Sequence, residues 1–168
     1  METTSVSTAD DLRAEALHTA KYLRGVSDAD ASKRPGSGRW SAKEIIGHLI
    51  DSAANNHGRF VRAQLEPDLV SAGYAQDDWV RVQDYQSASW PALLDLWLAY
   101  NLHLAHVIES AAEETKLKPR SRHNLDQIAF AKVSRDEPAT LDVFMRDYVD
   151  HLRHHLRQIA ELVGQPAR

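Results

Sequence analysis

Apolar residues recur at helical spacing through four long stretches of this chain, each bracketed by residues that start or stop helices. In the first, Thr8 reads as the N-cap, Asp10 and Asp11 place acid in the opening turn, and Leu12, Ala16, Thr19 and Leu23 share a face until Gly25 and Ser27-Asp28 end it. Lys33 to Trp40 is a loop of breakers. Ser41-Ala42-Lys43-Glu44 then forms a capping box for a second helix that runs to about Leu65, before Pro67. From 66 to 86 the periodicity fails, and the segment, which carries Tyr74, Trp79 and Tyr85, reads as a connection with some local structure and a candidate lid. A third helix starts at Ser89-Trp90-Pro91, buries Leu93, Leu94, Trp97, Leu98, Asn101, Leu102, Ala105 and Ile108, and should end between Glu114 and Lys118. Residues 118 to 138 form a long crossover with Leu125, Ile128, Phe130 and Val133 as anchors. Thr140 caps the fourth helix, whose stripe of Leu141, Phe144, Met145, Tyr148, Leu152, Leu156, Ile159 and Val163 leads to Gly164 as its stop.

Four amphipathic helices with connections too long for a minimal up-down arrangement predict an all-α four-helix bundle with at least one crossover, in a single domain spanning 1–168. A chain of 168 residues has enough core to fold without a structural metal. Its net charge of −4 disfavours nucleic acid as a partner. No apolar run approaches the roughly 20 residues that span a bilayer. The opening residues lack the basic start and apolar centre of a secretory signal, and there is no cysteine, so the expected location is cytoplasmic.

The chemistry in the sequence lies in its histidines, of which there are nine. Residues 151 to 155 read His-Leu-Arg-His-His, and His48 sits far upstream in Gly-His-Leu-Ile-Asp on the second helix. Two histidines four apart lie one turn apart on a helix face, the spacing at which one helix can offer two ligands to a divalent transition metal. At about 100° per residue, with Tyr148 at zero, the apolar positions of the last helix centre near roughly +35°. His155 then lies at about −20°, His151 at about −60° and His154 at about −120°. His155 therefore points inward, His151 lies at the edge of the buried face, and His154 points outward. The same count makes His48 a flank residue of the second helix. The expected ligands are His48, His151 and His155. His18, His57, His103, His106 and His123 read as ordinary histidines; His103 and His106, three apart, are a rival pair with no further histidine to support them.

Glu44 precedes His48 by four residues and Asp147 precedes His151 by four, so each is a weak candidate for a hydrogen-bond partner of a ligand or for a general base, against the simpler reading of a solvated helix acid. Trp40, Tyr74, Trp79, Trp90 and Trp97 could line a substrate pocket, although Trp97 reads as core. Arg59 and Arg62 read as surface charge, with attraction of an anionic substrate as the alternative. Imidazole suits zinc and nickel, and neither a thiolate nor a carboxylate set is on offer. A ligand imidazole must be neutral, so protonation should compete with the metal below about pH 6.

The stretch from Arg39-Trp40-Ser41 through Glu44 to Gly47-His48-Leu49-Ile50-Asp51 resembles the second-helix motif of the DinB-like superfamily, and Asp150-His151-Leu152-Arg153-His154-His155-Leu156 resembles its closing motif. The resemblance covers nearly the whole chain. It implies a four-helix bundle with a long crossover and a three-histidine metal site, whose ligands fall on His48, His151 and His155. It also implies a metal-dependent hydrolase, or a transferase using a low-molecular-weight thiol such as bacillithiol, mycothiol or glutathione. A small-molecule substrate and a homodimer are expected on the same ground. The other reading is a non-catalytic, stress-related bundle that binds a metal or a small ligand.

Overall fold

A computed structural model describes residues 7–164. In chain order the elements are α1 (Thr8–Leu23), α2 (Asp28–Ala31), α3 (Ala42–Leu65), α4 (Gln76–Gln83), a 3-10 turn (Tyr85–Ser87), α5 (Trp90–Ser110), α6 (Glu113–Leu117), α7 (Leu125–Ile128) and α8 (Leu141–Val163). Among the described residues there are no named strands, only two isolated bridges. The expected all-α four-helix bundle is therefore the observed one, built from α1, α3, α5 and α8. None of the described helices is long and apolar enough to cross a membrane.

The long helices start where the capping chemistry places them. Ser41 Oγ accepts from the Glu44 backbone while the Glu44 carboxylate accepts from Ser41 N at 2.9 Å, a complete capping box. Thr140 accepts from Val143 N, and Gly164 ends α8 in the left-handed conformation at φ 74°. Two boundaries differ from expectation. The cap of α1 is Ser7, whose hydroxyl accepts from Asp10 N, so Thr8 is already helical. The third long helix stops at Ser110 and not near Glu114: Ala111 is buried but extended, and α6 then begins with Glu113 and Glu114 in its first turn, where acid suits a helix N-terminus.

The order of the helices in space was not legible in the pattern. Both α1 and α3 pack chiefly on α5 and α8, so α1 faces α3 across one diagonal and α5 faces α8 across the other. Each of these diagonal pairs is consecutive among the long helices, so two connections cross the bundle. The core between the helices holds Trp97, Phe60, Leu12, Ile46, Leu49 and Leu94, each essentially inaccessible. Buried polar bonds join the helices too, from the Tyr148 hydroxyl to Asn101 Oδ1 at 2.6 Å and from Trp90 Nε1 to the Leu23 carbonyl at 3.2 Å.

The two irregular segments are stitched together. Leu69 N donates to the Arg122 carbonyl, Asn124 N donates to the Leu69 carbonyl, and the Asn124 side chain bonds Ser71 N and O. His123 is a buried clamp in the crossover: its Nε2 donates to the Glu137 carbonyl at 2.7 Å, so Nδ1 is free to accept from Leu125 N at 3.2 Å. The connection after α3 and the crossover before α8 thus form one layer at the edge where α3 meets α8.

Candidate metal centre

His48 lies on α3, His151 and His155 one turn apart on α8, and the contact between these helices brings the rings together. Ring centroids are 5.2 Å apart for His48 and His151, 4.7 Å for His48 and His155, and 4.6 Å for His151 and His155. One nitrogen from each ring lies within 4.8 Å of the other two, and among the described residues this is the group of three or more potential ligands that could hold an ion. His48 is a flank residue on its own helix, yet it is only 1% exposed because α8 covers it.

The donor set fits a metal. The Nε2 atoms of His48 and His151 face each other at 3.3 Å. Two nitrogens bound at about 2.0–2.1 Å in a tetrahedral arrangement would be separated by about the same distance. Burial, reinforced by neighbouring histidines, pushes both His48 and His151 down to about 3 and lowers His155 as well. The imidazoles are therefore neutral well below the pH at which an ordinary histidine gains its proton, and their lone pairs are free for a cation.

Two of the three rings have a partner for the other nitrogen. His155 Nδ1 donates to Gln158 Oε1 at 2.8 Å, and His151 Nδ1 lies 3.5 Å from Ser52 Oγ. Both arrangements leave Nε2 toward the cluster. His48 Nδ1 is buried without a hydrogen-bond partner among the described residues, and the Trp40 ring packs against that imidazole at 5.1 Å. Ser52 and Gln158 escaped the sequence reading, which looked four residues upstream of each ligand. Helical side chains lean toward the N-terminus, so Gln158, one turn downstream, reaches back to His155, and that spacing was the available signal; Ser52 meets His151 only through the packing of α3 on α8.

The upstream acids do other work. Glu44 is held by Ser41 N and by the Arg34 guanidinium, whose Nε donates at 2.9 Å. Although burial pushes its carboxyl up, these hydrogen bonds outweigh it and hold Glu44 below the usual carboxylate range. Asp147 is buried rather than solvated; its two oxygens accept from Phe130 N at 2.8 Å and Ala131 N at 2.6 Å, fastening the crossover to α8. Burial raises its pKa against those bonds. The fastening sets Phe130 beside His151 and His154, at 5.5 and 5.2 Å between rings. His154, expected to face solvent, is consequently half-buried and bonds Gln158.

Arg59 is a second departure, being 5% exposed where surface charge was expected. The connection after α3 folds back over it and presents the Ala72 carbonyl to its Nη2 at 2.8 Å. Arg62 is exposed as expected. The rival histidines also meet something: His103 packs edge-on against His57 at 4.9 Å and lies 6.4 Å from His106, without forming a three-ligand group.

The three-histidine cluster lies between two cavities. One of about 320 Å³ is lined by His48 and His151 together with Tyr74, Arg59, Phe144 and Tyr148. The other, of about 420 Å³, is lined by His155, Trp40, Arg39, Gln158 and Asp77, and Gln76 at the start of α4 borders both. Tyr74, by contrast with a surface tyrosine, is pushed up to about 12 by burial and by nearby Asp51, so it presents a neutral phenol to the first cavity. Asp51 is itself buried and tied to the Gln83 amide and the Tyr85 hydroxyl at 2.8 and 2.7 Å, which binds α4 and the 3-10 turn to α3.

These features define an all-helical bundle that gathers three neutral imidazoles beside small-molecule-sized cavities. A family model described as the DinB superfamily matches residues 11–159, and the chain belongs to that superfamily. Among solved structures it is similar to YfiT from Bacillus subtilis, described as a probable metal-dependent hydrolase with an unusual four-helix bundle topology. The TM-score is 0.73 at 20% identity, over 99% of this chain and 94% of that one, a likeness of fold. Among curated proteins no sequence matches the chain.

Proposed function

We propose that the protein is a metal-dependent hydrolase or low-molecular-weight-thiol transferase in which His48, His151 and His155 hold one divalent ion, zinc or nickel, beside a small-molecule substrate. The observation that carries this reading is the meeting of three neutral imidazole nitrogens within 4.8 Å, with no carboxylate or thiolate among them, at the junction of two cavities. A divalent ion held by these three imidazoles would supply Lewis-acid chemistry, lowering the pKa of a water or thiol.

The chain's own residues supply the rest. Ser52 and Gln158 orient His151 and His155, Phe130 and Trp40 shield the imidazoles from water, and Tyr74 offers a neutral hydroxyl to the cavity that His48 and His151 line. The protein has no cysteine, so a sulfur nucleophile must come from a co-substrate. Two cavities meeting at the histidines favour transfer between two molecules, one in each, over hydrolysis of a single one. Neither Glu44 nor Asp147 is placed as a general base here, since both carboxylates are committed to the scaffold.

The test begins with elemental analysis of protein purified without a histidine tag. Wild type should carry one equivalent of a divalent transition metal, His155→Ala should lose it, and His154→Ala should keep it. Near-wild-type metal in His155→Ala removes the site. Activity is then measured on electrophilic substrates with bacillithiol, mycothiol and glutathione in turn. Equal rates for metal-loaded wild type and His151→Ala would favour the non-catalytic binding bundle.

A further inference from the structure

The cavity of about 320 Å³ contains a buried cation that has no counter-ion. Arg59 lies eleven residues after His48 on α3, about 16 Å along the axis at 1.5 Å per residue. Its Nη2 donates to the Ala72 carbonyl at 2.8 Å and its Nη1 makes a long contact of 3.4 Å with Asn56 Oδ1. Among the described residues no carboxylate pairs with it; the neutral Tyr74 ring lies with its centroid 6.0 Å from Cζ, and Arg62 is a nearby like charge. A guanidinium carries five N–H donors and stays charged in proteins, so burying one against carbonyl and amide oxygens alone is costly. A ligand that brings the missing negative charge offsets that cost.

The rest of the cavity narrows what the ligand can be. Lys132 adds a second cation at its edge, with Nζ donating to the Gln127 carbonyl, and Asp147 adds one anion whose oxygens are both taken by backbone N–H groups. Two cations against one anion leave a single positive charge, matching a carboxylate better than a phosphate dianion. Phe144, Tyr148 and Ile128 supply apolar wall between Arg59 and the histidines.

We propose that Arg59 anchors the carboxylate of a small organic acid whose apolar body lies along α3 and whose reacting group reaches His48 and His151. The direction of the substrate rests on the metal-site reading; the carboxylate anchor does not. The guanidinium fork donates to both carboxylate oxygens, and the Ala72 carbonyl, accepting from Nη2, holds the fork in place. Arg59 is thus a binding residue that selects acids over their neutral analogues.

The experiment is a calorimetric titration of the full chain with phenylacetate, phenylacetamide and phenyl phosphate, as purified and after chelation, with metal content measured in every sample. Wild type should bind the acid at least about tenfold tighter than the amide, the scale of a charge-assisted pair, with or without metal. Arg59→Gln should lose the preference while keeping its metal, and Lys132→Gln should keep most of it. Should Arg59→Gln fail to fold, Arg59→Lys, which keeps the charge but not the fork, should bind the acid several-fold more weakly; unchanged binding in it overturns the anchor. So does an equal affinity for acid and amide in wild type, or an intact preference in folded Arg59→Gln. A preference present only with metal bound means that the acid ligates the metal, which overturns the anchor and leaves the metal site standing. Acid preference in protein that never carries metal supports the anchor and fails the metal reading. Tighter binding of phenyl phosphate overturns the assignment of a carboxylate.

Discussion

Gly47→Ala should destabilise the protein even though it places the best helix former in the middle of a helix. Gly47 immediately precedes His48, and an alanine Cβ there would lie 2.1 Å from Tyr85 Cδ2 and 2.2 Å from Cγ. Carbon atoms pack at about 3.5–4.0 Å, so the ring would have to move by roughly 1.5 Å. It has little freedom to do so, because Tyr85 is 7% exposed and its hydroxyl is bonded to Asp51 at 2.7 Å. Alanine contributes about 1 kcal/mol over glycine in a helix interior. Overpacking costs about 1–3 kcal/mol, and leaving Asp51 short of a partner costs a further 1–3 kcal/mol or so. The net expectation is a loss of about 1–5 kcal/mol, or a Tm lower by roughly 2–20 °C for a chain of this size. Thermal and urea unfolding followed by circular dichroism measure it directly. Gly58→Ala on the same helix is the matched comparison: its nearest contact is the flexible end of Arg62 at 3.1 Å, so that substitution should be neutral or stabilising by up to about 1 kcal/mol. A Gly47→Ala protein as stable as wild type would refute the reasoning, and equal effects at the two glycines would show that propensity, not the Tyr85 contact, governs the site.

Chelation should leave the helical signal of circular dichroism intact at 25 °C, since the buried stripes of α1, α3, α5 and α8 supply a core of their own; wholesale loss of helicity would mark the metal as structural. Glu44 should make stability pH-dependent with a defined sign: its folded pKa is held below the ordinary 4.5, so the contribution is present above about that pH and is lost as pH falls through the folded value. The Tm gap between wild type and Glu44→Gln should therefore be constant near neutrality and close under acid, and a gap unchanged down to about pH 3 would contradict this. Metal should survive acidification past the pH near 6.5 where ordinary histidines titrate, because burial holds His48 and His151 at about 3; release complete at pH 6 in a metal-buffered titration would overturn that reading. Light scattering should give twice the 18.9 kDa chain mass, and a constant mass near the monomer value across concentrations would exclude the dimer.

What the sequence alone determined is local. Helix starts at Ser41, Ser89 and Thr140 were legible because a cap is set by a side chain and a backbone N–H two or three residues away. The inward turn of His155 and the edge position of His151 follow from one helix's periodicity, and the spacing of four between them needs no tertiary information. Tertiary structure decided what depends on residues distant in the chain. The burial of Arg59 required the connection after α3 to fold back and offer the Ala72 carbonyl, and nothing near Arg59 on its own helix signals that. Asp147 lost its solvent and His154 its outward face to the crossover, which docks through Phe130 and Ala131, residues that carry no helical pattern. The diagonal placement of consecutive long helices likewise left no trace in any single stripe, because an apolar face specifies that it must be covered and not by which helix. His48 meets His151 and His155 only because α3 and α8 are neighbours in that arrangement.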